Sequence, residues 1–268
     1  MAQEDLSLGR RQNKILFQKI YFESDPVSIF SYENLKQINP IRKAIFDAAW
    51  ANVQLVIRTA NREIADMEDW NIVADVFQEL GLRITETEAK KMRLRIFSLH
   101  DVMEMYLKNN NKFSFYSYFD HDKATAICRR GDIYINDMFF IKNPVWQLFI
   151  LIHEFSHVTG ANDNFYFKAD IIKNQDTTIR ELINLEIKEA IPIFLSDLKH
   201  QMLEKSRHVD YDKDFHSNAD TIALYAFHLF DVYAKNKNGL KDSAELILLS
   251  QNNEPFPSLA HGFAMAGH

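Results

Sequence analysis

The chain contains little cysteine and little glycine, the residues that form disulfide bonds and phosphate-binding loops. It has 268 residues with a single cysteine, Cys128, and only seven glycines. One cysteine excludes an internal disulfide, so the protein works in a reducing compartment or does without covalent staples. Neither GxxxxGK[ST] nor GxGxxG occurs, which disfavours a glycine-rich phosphate-binding loop. The letters "ATAIC" are typical of a strand, so a half-buried strand cysteine is favoured over a nucleophile.

A basic surplus and a long apolar run are also missing. The formal net charge is −6, the reverse of what a nucleic-acid binder shows. No apolar run reaches the ~18 residues of a membrane span. The N-terminal letters "MAQEDLSLGRRQNK" lack the apolar core of a secretory signal peptide. We therefore expect a globular monomer with no nucleic-acid or membrane partner.

Helical periodicity dominates the rest of the chain. It predicts helices over about 41–66, 70–80, from Thr85 onward, 177–206 with a kink at Pro192, and 216–234. Residues 113–137 instead alternate, and predict short strands with a turn at Arg130-Gly131-Asp132. The pattern predicts an α+β, mostly helical fold. We expect an extension of unknown role at 1–38, one domain at 39–250 and an irregular tail at 251–268.

One stretch, "LIHEFSHVTGANDNFY" at 151–166, concentrates polar side chains of chemical interest. The start signals Asn143 and Pro144 predict a helix that runs through it. His153 and His157, four residues apart, leave the same face of that helix one turn apart. Two imidazoles in that arrangement can bind one Zn²⁺, with Glu154 close to the metal without being a ligand. This is the HExxH pattern of zinc peptidases.

The residues after the second histidine extend the pattern. Gly160 is well placed to end the helix in a left-handed conformation. The reversal can bring Asp163 back as a third ligand, which leaves a fourth position for water, as a catalytic zinc site requires. Tyr166 follows three residues later and can reach the same cavity. The alternatives are a polar helix end without chemistry, and for Tyr166 a packed aromatic.

HExxH followed by G-x-x-D-x-x-Y resembles the aspzincins, the deuterolysin and peptidyl-lysine metalloendopeptidase group. The resemblance covers roughly residues 40–232, since "IYINDMFF" is similar to the family's strand before the active helix and "SNADTIALYAF" to its N-A-D segment. It implies a zincin-like fold with a small antiparallel sheet beside the active-site helix. It further implies one catalytic Zn²⁺, Glu154 as the base and Tyr166 assisting the oxyanion.

The downstream segment adds two candidates, Asn218 and Asp220, behind a ligand histidine or in the pocket wall. The alternative for Asp220 is an ordinary helix cap, because "SNAD" can start a helix. The family pattern has threonine where Ala161 stands and glycine where Phe167 stands. In lysine-specific members an acid occupies the position of Ala223, so no lysine preference is implied.

The resemblance also bears on substrate and location. The compact HExxHxxGxxD spacing without disulfides or signal peptide is similar to bacterial effector proteases that cleave host proteins. It implies a protein or peptide substrate and export by a route other than a signal peptide into a reducing compartment, the alternative being a cytoplasmic enzyme. We expect the substrate to lie antiparallel along an edge strand at Ile133–Asn136. The alternative function is a catalytically idle zincin-fold protein that only binds.

Overall fold

The computed structural model describes residues 29–66, 74–75, 77–78, 84–109, 112–116, 125–164, 189–196 and 215–236. Within these ranges the chain is mostly helical, with one four-stranded sheet. The α+β expectation is confirmed. The tail at 251–268 and residues 1–28 lie outside the described ranges.

Two long helices form the main helical layer. Helix α2, Pro40–Asp66, follows a short helix α1, Tyr32–Ile38, and matches the expected 41–66 helix. Helix α3, Glu86–Lys108, begins at Thr85, whose hydroxyl accepts from the Glu88 amide while the Glu88 carboxylate accepts from the Thr85 amide. This reciprocal capping satisfies two amides that the first turn leaves unpaired. Helix α2 packs against α3.

The sheet has the order β1-β2-β4-β3, with strands at Ile29–Ser31, Phe113–Tyr116, Ala126–Arg129 and Asp132–Asn136 for β1 to β4. The expectation of an antiparallel sheet is wrong, because β2 and β4 pair in parallel. The reason is the strand order, in which β3 lies on the far side of β4 from β2. The β3–β4 hairpin then returns β4 beside β2 in the same direction. Residues 29–38, within the expected extension, supply β1 and α1 to this fold.

The hairpin turn is built by Arg130 and Gly131, with φ angles of 51° and 74°. Two left-handed residues in a two-residue turn match the right-handed twist of the strands. The turn reading of Arg130-Gly131-Asp132 is therefore confirmed. Strand β4 is paired on both sides, with β2 and with β3. The expectation that Ile133–Asn136 is an edge strand is wrong, and within the described part of the chain the outer strand of this hairpin is β3.

Helix α4, Pro144–Val158, carries the two histidines of the motif and lies at the centre of the fold. The Asn143 side chain accepts from the Trp146 amide at 2.9 Å, and Pro144 occupies the first turn. Its buried face includes Phe155, whose ring lies 4.8 Å from the ring of Tyr106 and 5.3 Å from that of Trp50. These contacts fix α4 against α2 and α3.

The last described helix, α5, spans Ala219–Asn236 and packs against α2 and α4. It matches the expected 216–234 helix. Of the expected 177–206 helix, only residues 189–196 are described, and they are helical. No helix in the described ranges is both long enough and apolar enough to cross a membrane.

Candidate metal centre

The C-terminal end of α4 turns sharply at Gly160, which has φ 85°. The Gly160 amide donates to the His157 carbonyl at 2.9 Å, and the Ala161 amide donates to the Ser156 carbonyl at 3.0 Å. This pair of hydrogen bonds is the Schellman arrangement, which needs a left-handed residue at the position of Gly160. The sequence expectation for Gly160 is confirmed, and the turn sends the chain back across the end of the helix.

The loop after this turn is tied to the start of α5. The Asn162 amide donates to the Ser217 carbonyl at 2.7 Å, and the Ala219 amide donates to the Asn162 carbonyl at 3.0 Å. The Asn164 amide donates to Oδ1 of Asn218 at 3.1 Å. Asp163 lies between the two tied residues, so its backbone is held on both sides.

Three side chains meet as a result: His153, His157 and Asp163, here named the ligand triad. Nε2 of His153 lies 3.1 Å from Nε2 of His157. Oδ1 of Asp163 lies 3.3 Å from the first nitrogen and 3.0 Å from the second. The expected juxtaposition is therefore present, and the ligand triad can hold a metal ion.

The outer nitrogens of both histidines have partners. Nδ1 of His153 lies 2.6 Å from Oδ1 of Asp220, and Nδ1 of His157 lies 3.0 Å from the Ala161 carbonyl. Both partners accept, so each Nδ1 carries hydrogen and donates. In the neutral rings the two Nε2 lone pairs then face each other, an arrangement that a cation between them stabilises. The Asp220 side chain thus holds the imidazole of His153 in this orientation.

The carboxylates of the site favour positive charge on or between the two imidazoles. Burial lowers the pKa of His153, but hydrogen bonds to the carboxylates of Asp163 and Asp220 outweigh it and raise that pKa to about 10. Burial is also the largest influence on the pKa of His157 and lowers it, but the hydrogen bonds to Asp163 and to the Ala161 carbonyl, together with the Glu154 charge, give a net upward shift. Negative carboxylates beside the imidazoles stabilise a proton bound there, and by the same attraction they stabilise a metal ion bound in place of the proton.

Glu154 lies beside the ligand triad and is 5% exposed. Its carboxylate accepts a hydrogen bond from the backbone amide of Cys128 on β3. Its Oε2 has no hydrogen-bond partner within the described ranges. Burial raises the pKa of Glu154 most, Asp163 raises it further, and the histidines oppose the shift. A buried carboxylate with one oxygen available and a raised pKa has the properties of a proton acceptor.

The pairing in the hairpin explains why the Cys128 amide is available. The Asn136 amide donates to the Thr125 carbonyl, and in an antiparallel ladder hydrogen-bonded pairs alternate with unbonded pairs. The register pairs Cys128 with Ile133 and Ala126 with Ile135, so Cys128 and Ala126 fall on unbonded pairs. Their amides and carbonyls point away from β4, and the Cys128 amide reaches Glu154. The free edge of β3 therefore faces the site.

The thiol of Cys128 itself is not activated. Cys128 is half-buried in β3, as expected from the sequence. Burial raises the pKa of its thiol, and the nearby Glu154 carboxylate adds to that shift, to about 12. A thiol protonated at neutral pH is a poor nucleophile.

Some contributions to the site carry no sequence signal. The role of Cys128 depends on its backbone amide, and that of Arg95 on a hydrogen bond from its guanidinium to the Thr159 carbonyl at the end of α4. The tie between Asn162 and the start of α5 is likewise made by backbone groups. The candidate oxyanion donor, Tyr166, lies outside the described residues.

No protein-family model, no curated protein and no solved structure matches this chain.

Proposed function

We propose that this protein is a zinc-dependent endopeptidase with one catalytic metal site formed by His153, His157 and Asp163. The observation that carries the proposal is the ligand triad with a buried glutamate next to it in the sequence and in space. Two nitrogens and one carboxylate oxygen leave one position of a tetrahedral site free for water.

The spacing of the ligand triad supports zinc. Zinc ligands lie at about 2.0–2.1 Å, so neighbouring corners of a tetrahedron lie roughly 3.3 Å apart. The three distances in the triad are 3.1, 3.3 and 3.0 Å. Two histidines with one carboxylate also serve non-haem iron(II) in oxygenases. The buried Glu154 favours hydrolysis, because an oxygenase needs no proton acceptor at that position.

A bound zinc ion would supply a water whose pKa is lowered to about 7. Glu154 would take a proton from that water as it attacks a peptide carbonyl, and then pass the proton to the leaving amine. Asp220 and the Ala161 carbonyl would hold both imidazoles with their Nε2 atoms toward the site. Tyr166, as the resemblance implies, would donate to the developing oxyanion.

The substrate in this proposal is an extended protein or peptide segment. It would pair with the outward backbone groups of β3, Ala126–Arg129, rather than with β4. The Cys128 amide is engaged by Glu154, so pairing would use mainly the groups of Ala126 and the Cys128 carbonyl. That the protein acts in a reducing compartment and that it is an effector remain predictions from the sequence.

Cleavage of denatured casein tests the proposal. The purified chain is compared with Glu154→Gln and with Glu33→Gln, a matched change on an exposed glutamate of α1, each with and without a chelator. We expect cleavage by the wild type and Glu33→Gln, loss of about 100-fold or more in Glu154→Gln, and loss with chelator that added Zn²⁺ restores. Elemental analysis should find one zinc per chain.

Three results would count against a zinc endopeptidase. Equal residual cleavage in all variants, with or without chelator, would assign it to a contaminant. Zinc binding without any cleavage would favour the idle binding protein. Iron in place of zinc would redirect the search to oxygenase chemistry.

A further inference from the structure

Asp163, the third member of the ligand triad, lies on an exposed loop, unlike the two histidines. Residues 162–164 are exposed, and the Asp163 side chain is 36% exposed. The two histidines, by contrast, stand on a buried helix. Apolar packing therefore does not fix Asp163, and hydrogen bonds must hold its backbone in place.

Among the described residues, four hydrogen bonds tie the loop to residues 217–219. Two of them join backbone groups of Asn162 to Ser217 and Ala219, and any sequence could supply them. A third joins the Asn164 side-chain amide to the Ser217 hydroxyl at 3.3 Å, in an exposed position. The fourth, from the Asn164 amide to the Asn218 side chain, ends on a residue that is fully buried.

Asn218 is itself fixed in orientation. Its Nδ2 donates to the Thr221 hydroxyl at 3.2 Å, so its Oδ1 is presented to the Asn164 amide. An aliphatic side chain of the same size would leave that amide without this acceptor. The sequence therefore specifies the position of the loop through Asn218 more than through any other side chain in the described contacts.

We infer that Asn218 is a positioning residue for Asp163, which holds the loop so that the carboxylate meets the two histidines. Two residues later on the same helical turn, Asp220 holds His153. The first turn of α5 thus orients two of the three members of the ligand triad. The inference rests on the proposed zinc site. It states that Asn218, by holding Asp163 in place, raises the affinity of that site for the metal.

The test measures Zn²⁺ affinity of the full chain by competition with a chromophoric chelator. We expect Asn218→Ala to weaken Zn²⁺ binding by roughly 10- to 100-fold, the usual effect of losing a partner behind a ligand. Asn218→Asp keeps an acceptor for the Asn164 amide and should stay within about fivefold of wild type. Asn52→Ala is the matched control, since Asn52 is also buried and its Oδ1 has no hydrogen-bond partner among the described residues. It should bind Zn²⁺ as the wild type does.

Hydrogen exchange of the metal-free chain provides a readout that does not depend on zinc. In Asn218→Ala the amides of Asn162 and Asn164 should exchange faster, while those of α2 keep their wild-type rates. If Asn218→Ala does not fold, Asn218→Ser replaces it. Serine is a favoured residue before the first turn of a helix, but its side chain is one atom too short to reach the Asn164 amide.

The inference would be overturned by wild-type Zn²⁺ affinity in Asn218→Ala, by an equal loss in Asn52→Ala, or by unchanged exchange at residues 162 and 164. Its failure is distinguishable from that of the endopeptidase. A wild type that binds Zn²⁺ in an Asn218-dependent way but cleaves no casein refutes the peptidase and supports this role. A wild type that takes up no Zn²⁺ refutes both.

Discussion

Replacing Asp220 by asparagine isolates the charge behind His153. The Asp220 carboxylate accepts from Nδ1 of His153 at 2.6 Å, and both residues are buried. Asparagine keeps the volume and an acceptor oxygen but loses the negative charge. A buried charge-assisted hydrogen bond contributes about 1.5–3 kcal/mol, and a neutral one about 0.5–1.5 kcal/mol. The difference of roughly 1–2 kcal/mol predicts that Zn²⁺ binds about 5- to 30-fold more weakly to Asp220→Asn.

The assay is chelator competition at fixed pH and ionic strength, with Asp231→Asn as the matched control. Asp231 lies on the same helix and is 5% exposed, against 4% for Asp220. The 11 positions between them separate the two residues by about 16 Å along the helix axis. A loss of affinity in Asp220→Asn alone would therefore come from the contact with His153. Loss of a buried carboxylate in general would affect both variants.

Two results would refute this reasoning. If Asp220→Asn bound Zn²⁺ within twofold of wild type, the charge of Asp220 would have no part in holding the metal. If Asp231→Asn lost as much affinity, the effect would reflect the stability of α5. Asp220→Glu adds a further check, because it keeps the charge but moves it, and should restore less than full affinity.

Three further predictions follow from the same geometry. Gly160→Ala should lower the free energy of unfolding by about 1–2 kcal/mol in urea, because φ 85° disfavours a side chain. The added carbon would only touch Arg95 at 3.8 Å, so a larger loss would contradict this cause. Cys128→Ala should keep casein cleavage within about threefold, whereas Cys128→Pro, which removes the amide that holds Glu154, should lose about tenfold or more. Equal effects would refute the role of that amide. The metal-free protein should lose stability as pH rises. The raised pKa of His153 contributes stability that is full below about pH 6.5 and lost on passing about pH 10. Urea midpoints between pH 6.5 and 10 measure it, and a rise with pH would contradict it.

The sequence predicts the parts of this fold that depend on local rules. Helix α4 begins at Asn143 and Pro144 and ends at Gly160 because each residue satisfies a capping requirement within one turn. Helical periodicity alone places His153 and His157 on one face. The β3–β4 hairpin follows from glycine in a two-residue turn. Each of these depends on residues within about five positions of one another.

The parts that the sequence did not predict depend on distant contacts. The parallel pairing of β2 and β4 joins strands that are not consecutive in the chain, and no periodic signal in the sequence marks it. The position of β4 between β2 and β3 follows from that order, so the expectation of an edge strand at Ile133–Asn136 is wrong. The tie between Asn162 and Asn218 is a single parallel bridge, too short to produce a pattern.

The two histidines of the ligand triad are positioned by contacts within one helix, whereas Asp163 is positioned by contacts between residues far apart in the sequence. This difference has a consequence for metal binding. The histidines form their half of the site as soon as α4 forms. Asp163 and the hydrogen bond of His153 require α5, through contacts 54 and 67 residues apart in sequence. Because a metal that binds only the complete site stabilises the folded state, Zn²⁺ should stabilise specifically the packing of α5 against α4. If the ligand triad binds Zn²⁺ as proposed, its Zn²⁺ affinity would report on this tertiary packing. A fragment with the HExxH helix alone would retain the motif but lack the third ligand and the carboxylate that orients His153.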